Sequence, residues 1–224
     1  MQQKESVRAL IATSFRRNWL PGVVLWCIAI ALLIAYYNWP TAQTALGKVS
    51  DLKLHHGYLF SAISTGLCGG LIPYAIHAAR GEYKTARRAL SCLAFFLFFW
   101  AWKGVEVDAL YRLQSLIWGS GNDPFTIFKK VCFDMLVFSA LYAVPCIAVF
   151  NAWMDKDFNW PATVQVVKTP LYRKRIAVMI ALNWIIWIPA VAVVYAMPVA
   201  LQVFMFNIVL CFWVLILSLL SQTD

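Results

Sequence analysis

Apolar positions in this chain come in long unbroken runs, not in the alternating or 3.6-spaced patterns of a soluble domain. The first charge-free run covers residues 19–37. As a helix its 19 residues would measure about 28 Å, close to the ~30 Å hydrocarbon core of a bilayer. A second run lies between Lys53 and Arg80 and predicts a span near 57–79. The third, Leu90 to Trp102, is short. It is expected to continue past Lys103, Glu106 and Asp108 into an interfacial or protein-buried portion, giving a span near 88–106. A fourth follows Lys129-Lys130 and reaches about Met154, interrupted only by Asp134. It predicts a span near 131–153.

The last run decides the class. From Ile176 to Thr223 there are 48 residues without a charge. One helix of that length would measure about 72 Å, more than twice the hydrocarbon thickness. It must fold back, and Met197-Pro198 is the natural turn, giving spans near 176–196 and 200–220. The expected fold is therefore all-α: a multi-pass transmembrane bundle of about six helices. A basic tail, 1–18, precedes one membrane domain, 19–224. A cleaved leader is disfavoured, because the first run exceeds a signal core and Tyr36-Tyr37-Asn38-Trp39 lacks the small residues of a cleavage site.

Composition strengthens this reading. Of 224 residues 62% are apolar and 13% charged, against ~45–50% and ~25% in soluble domains. The net charge of +9 would otherwise raise nucleic acid as a partner. Here the basic residues fall between apolar runs and no nucleic-acid-reading motif is present, so they are read as anchors on a lipid bilayer. Six crossings put 13 Lys and Arg on one side and 6 on the other. Without the third crossing the split is 12 to 7. The positive-inside bias thus favours six, with both termini on the cytoplasm-like side.

Candidate chemistry is sparse. Six cysteines sit in apolar stretches with no CxxC pair, as expected of small apolar packing residues. His55 and His56 are adjacent, so they point different ways on a helix, and His77 stands apart. No metal site, cofactor motif or acid–base constellation is expected, and no enzyme activity. Gly66 and Gly70 have the GxxxG spacing that lets helices approach closely in lipid. Pro73, Pro145 and Pro189 fall within predicted spans and are expected to kink them.

Ionisable groups at membrane depth are costly, so they are functional candidates. Asp134 follows Lys130 by four residues, a spacing that shares one α-helical face. Two readings stay open: an ion pair near a helix start, where the dipole also favours a carboxylate, or a pore or relay group. Asp108 and Arg112 share that spacing and are expected to form a solvated pair. Asn183, Gln202 and Asn207 place amides in the last two spans, either as interhelical hydrogen bonds or along a polar path.

Several motifs carry a resemblance. Lys130-Val-Cys-Phe-Asp134 looks like a Lys…Asp-Gln entry into a span. Asn183-Trp184-Ile-Ile-Trp187-Ile-Pro189 looks like a Trp-x-x-Trp-Pro signature. Tyr195 and Pro198 stand where an aromatic and a Val-Pro turn would follow. Trp213 with Leu217-Ser218 looks like a Trp…Leu-Ser close, and Trp102 with Asp108 like a Trp-Tyr…Leu-Asp element. Together these resemble the Mpv-seventeen family of peroxisomal and inner mitochondrial membrane proteins, which has bacterial members, over about residues 58–221. The chain departs from it at Gly69-Gly70 in place of Gly-Asp, at Met135 in place of Gln, and at Val191 and Val194 in place of amides. The resemblance implies pore-like conductance and an organellar or bacterial inner-membrane location. The expected function is a small pore or transporter for small solutes, with a homo-oligomer possible. The alternative is a structural or interaction protein that organises membrane or partner complexes.

Overall fold

The computed structural model describes the backbone of residues 7–220, with side chains for Leu20 and for 22–214. The predicted tail therefore falls partly outside the described residues, as do the final residues 221–224. Eight helices follow in order: α1 Val7–Asn38, α2 Pro40–His56, α3 Tyr58–Ala79, α4 Ala86–Trp118, α5 Pro124–Asp155, α6 Trp160–Val167, α7 Pro170–Ala196 and α8 Val199–Leu220. There is no strand among the described residues.

Local signals set the boundaries. Thr85 caps α4 by accepting a hydrogen bond from Arg88 N at 3.2 Å. Asp123 caps α5, accepting from Phe125 N and Thr126 N at 3.1 and 3.0 Å, with Pro124 in the first turn. Asn159 and Thr169 cap α6 and α7, and a proline again opens each helix. Proline is tolerated there because its missing N–H has no intrahelical partner. Met197 and Pro198 form the turn between α7 and α8.

Four helices, α3, α4, α5 and α7, are long and apolar enough to cross a membrane. The arms Gly22–Asn38 and Pro40–His56, bent by 102°, make a fifth if they act as one broken span. The described apolar part of α8, Val199–Val214, is shorter. The chain is a multi-helix integral membrane protein. Length and composition support four to five spans where the sequence pattern expects six. The third run is a single helix of 33 residues that continues well past residue 106, with Lys103, Asp108 and Gln114 buried along it.

Helices α3 and α5 contain π-type segments, Gly66–Leu71 and Phe133–Ala143. Each is followed within two residues by a proline, Pro73 and Pro145. A proline lacks the N–H of the α ladder and crowds the preceding turn, and wider i→i+5 winding absorbs both defects. Pro189 lies inside α7 without such a segment.

Glycines set the α3–α4 contact. A Cβ on Gly70 would meet Phe96 O at 2.7 Å, and one on Gly69 would meet the Trp100 ring at 2.5 Å. On Gly66 it would touch Ala101 Cβ at 3.5 Å. Gly104 completes the contact from α4, facing Ser61 O and Thr65. Cross-contacts also set helix directions. Trp26 donates to Ile186 O and Tyr37 to Ala196 O, both at 2.8 Å, so α1 runs parallel to α7. Arg88 donates to Met154 O at 2.6 Å, joining the start of α4 to the end of α5. The core lies between α4, α5, α7 and α8, around Val107, Tyr111, Met135, Val194, Tyr195, Leu201 and Met205.

Candidate functional site

Two buried carboxylates on adjacent helices organise the polar interior. The first is Asp108 on α4, 3% exposed. Its Oδ2 receives Lys53 Nζ from α2 and Ser61 Oγ from α3, the latter at 2.8 Å. Its Oδ1 accepts from Arg112 Nε at 3.0 Å. Lys53 Nζ also donates to Ser61 Oγ at 2.8 Å and Gly57 O at 2.9 Å. Arg112 lays its guanidinium 4.6 Å from the Tyr58 ring centroid. The expected solvated Asp108–Arg112 pair is corrected here. The contact exists, but Asp108 is inside the bundle, because α2 and α3 cover it and supply the second cation. Only the Arg112 side chain, 43% exposed, reaches outward.

The second carboxylate is Asp134 on α5, 5% exposed. Oδ2 accepts from Tyr195 Oη on α7 at 2.8 Å, and Oδ1 from Ser139 Oγ at 3.3 Å. Gln114 Nε2 on α4 donates to Tyr195 Oη at 2.5 Å, so a relay runs from α4 through α7 to α5. Gln114 is fully buried and its Oε1 has no protein partner. Tyr111 packs edge-on to Tyr195 at 5.2 Å.

The expected Lys130–Asp134 ion pair does not form. Lys130 instead holds its ammonium 5.8 Å from the Tyr195 ring centroid. Two facts displace the prediction. The helix begins at Pro124, so Asp134 lies in its interior and Asp123 takes the capping role. From Phe133 the chain winds as a π-helix, so the α-helical i,i+4 alignment no longer holds.

The remaining candidates are spread through the bundle. Asn207 on α8 accepts from Thr65 Oγ1 at 2.8 Å and donates to Ser64 Oγ at 2.9 Å, an interhelical bridge to α3. Gln202 donates to Met197 O at 3.1 Å across the α7–α8 turn, and its buried Oε1 has no protein partner. Asn183 reaches Met135 Sδ at 3.9 Å. Trp184 donates to Met135 O at 2.8 Å, tying α7 to α5. Trp187 packs on Phe206 at 5.4 Å, and Trp213 packs against the Leu25, Ala29, Ile186 cluster. Trp102 is 56% exposed and bonds Glu106, which also receives Tyr142 and, at 2.7 Å, Lys103. The structure brings Asp134 and Lys130 to the Tyr195 ring. Asn183, Gln202 and Asn207 make no hydrogen bond with them.

Sequence reasoning missed Lys53 and Gln114 as site residues. Lys53 lies on a helix the hydropathy pattern did not predict, although Trp39-Pro40 is a helix-opening signal. Gln114 carried a weaker signal: an amide three residues from Tyr111 on an otherwise apolar face. Among the described residues no group of His, Cys, Asp or Glu could hold a metal ion.

The arrangement can hold charge inside an apolar bundle and pass a hydrogen-bond rearrangement along Gln114, Tyr195 and Asp134. Comparison with family models, curated proteins and solved structures finds no match. The Mpv-seventeen resemblance accordingly rests on the motifs quoted above alone.

Proposed function

We propose that this integral membrane protein moves small solutes across its membrane, as a small pore or transporter. The observation that supports this reading is Asp134, a carboxylate 5% exposed and held by neutral hydroxyls in the interior of a helix long and apolar enough to span. Ionisable groups at that depth are costly and mark ion or substrate paths by default. The π-type segment carrying Asp134 supports it too, because such windings gather at functional sites. Both carboxylates are enclosed by the bundle. The proposal retains the charge-bias orientation, with both termini on the cytoplasm-like side, in a bacterial inner or an organellar membrane. The test is reconstitution into lipid bilayers with conductance and solute-flux recording. Flux above protein-free bilayers is expected, and its absence at every applied voltage would sink the proposal.

A second reading is a structural or interaction protein. It is favoured by the oxygens of both carboxylates being satisfied within the protein and by the close glycine contact of α3 with α4. It expects Asp134→Asn to alter abundance or complex formation while leaving solute movement unchanged.

A further inference from the structure

Helix α2 is attached in an unusual way. Non-helical residues bound it on both sides: Trp39 is extended, at φ −116° and ψ 113°, and Gly57 has φ +54° and ψ −126°. Only glycine adopts the latter conformation without strain, and it directs the Gly57 carbonyl back toward the helix end. The single fully buried residue of α2 is a lysine, Lys53, 2% exposed. An aliphatic residue would be the ordinary choice for holding an amphipathic helix to a bundle.

The surroundings of that ammonium are complete. Three N–H donors meet three oxygens: Gly57 O at 2.9 Å, Ser61 Oγ at 2.8 Å and Asp108 Oδ2. The Tyr58 ring lies 5.9 Å away, within cation–π reach. Two of the three oxygens, those of Ser61 and Asp108, belong to the helices beneath. Arg112 holds the other oxygen of Asp108 independently. The carboxylate thus keeps one cation if Lys53 withdraws.

We infer that the oxygens of Gly57, Ser61 and Asp108 form a binding subsite for a primary ammonium group, which α2 fills with its own Lys53 in this conformation. The ligand class is a small primary alkylammonium ion. It competes with Lys53 and frees the Lys53 end of α2, whose Leu46 and Val49 pack against the core. A quaternary ammonium carries the same charge but no N–H donors, so it does not fit three converging acceptors. This rests on the transport reading for its biological meaning, since the amine would be a solute or a gating ligand. The binding claim stands apart from it.

The experiment uses the full chain in lipid nanodiscs. Lys53→Ala removes the atoms of n-propylammonium, which is therefore the matched probe. Thermal unfolding is followed with n-propylammonium chloride and, at equal ionic strength, tetramethylammonium chloride. The midpoint of Lys53→Ala is expected to rise by several degrees with n-propylammonium only. The wild type and Lys53→Ala/Asp108→Asn should show no such selectivity. Equal effects of the two salts on Lys53→Ala would overturn the subsite. If that variant does not accumulate, hydrogen exchange of the wild type decides. Methylammonium should speed exchange across Pro40–His56 and tetramethylammonium should not; equal rates would overturn the proposal. Methylammonium uptake into proteoliposomes separates the two ideas. Selective stabilisation without uptake would uphold the subsite and count against transport, whereas uptake without selectivity would discard the subsite alone.

Discussion

Asp108 and Asp134 lie on neighbouring helices at similar burial, and each has both carboxylate oxygens hydrogen-bonded. They are compensated by different means. Asp108 sits between two cations, Lys53 and Arg112, and ties α2, α3 and α4 together. Asp134 is held by the neutral hydroxyls of Tyr195 and Ser139, while the Lys130 ammonium lies over the Tyr195 ring. The difference separates two roles. A carboxylate shared by two cations holds its helices together while both stay, because removing it strands the buried Lys53 in a poorly solvating interior. A carboxylate held by neutral donors can exchange a partner or a proton at smaller cost, which suits a moving part.

The largest effect expected from this contrast is that of Asp108→Ala. It leaves Lys53 buried without its counter-charge and should cost about 3–5 kcal/mol, the range for breaking one side of a buried pair. Unfolding in mixed micelles measures it. A cost near that of a surface substitution would mean the Lys53–Asp108 pair adds little to what the packing of Leu46 and Val49 already does for α2. Tyr195→Phe comes next. It removes a donor to Asp134 and the acceptor of Gln114 Nε2, leaving buried polar groups unpaired at about 1–3 kcal/mol. Asp134→Asn keeps the shape, retains an acceptor for Tyr195 and removes the charge, so its stability change should stay within about 1 kcal/mol. If it matched Asp108→Ala, the two centres would be alike and the contrast would fail.

The sequence made the class of fold legible because membrane spans are written in long apolar runs, and Met197-Pro198 marked a real turn. The charge-free pattern could not show α2, whose residues are neither apolar enough for a span nor bounded by charge. It also missed a partner of each carboxylate for one reason. Partners across helices, Lys53 for Asp108 and Tyr195 for Asp134, lie 55 and 61 residues away, while spacing rules see only neighbours within one helix. The π winding from Phe133 then removed the assumption on which the Lys130–Asp134 pairing stood. Of the Gly66–Gly70 spacing, Gly70 makes the tight approach to α4 while Gly66 is in ordinary contact, and Gly69, outside the spacing, is as close as Gly70.

The smallest predicted effect concerns Asp123, which inherits the helix-start role first given to Asp134. Its carboxyl is held below the ordinary value of 3.8 by the Thr126 side chain, then by the backbone N–H groups it caps. A lowered folded-state value means the cap's contribution is present above the ordinary value and is lost as pH falls through the folded one. Stability should therefore show a shallow decline below about pH 4 that Asp123→Asn removes. An unchanged acid profile in that variant would place the decline elsewhere.

The central claim, that Asp134 serves solute movement while Asp108 fixes structure, meets its most direct test in one flux measurement. Wild type and Asp134→Asn are reconstituted at matched amounts of folded protein and compared for solute flux and conductance. The variant is expected to fold and accumulate as the wild type does and to lose most of its flux. Flux equal to wild type in that folded variant would contradict it.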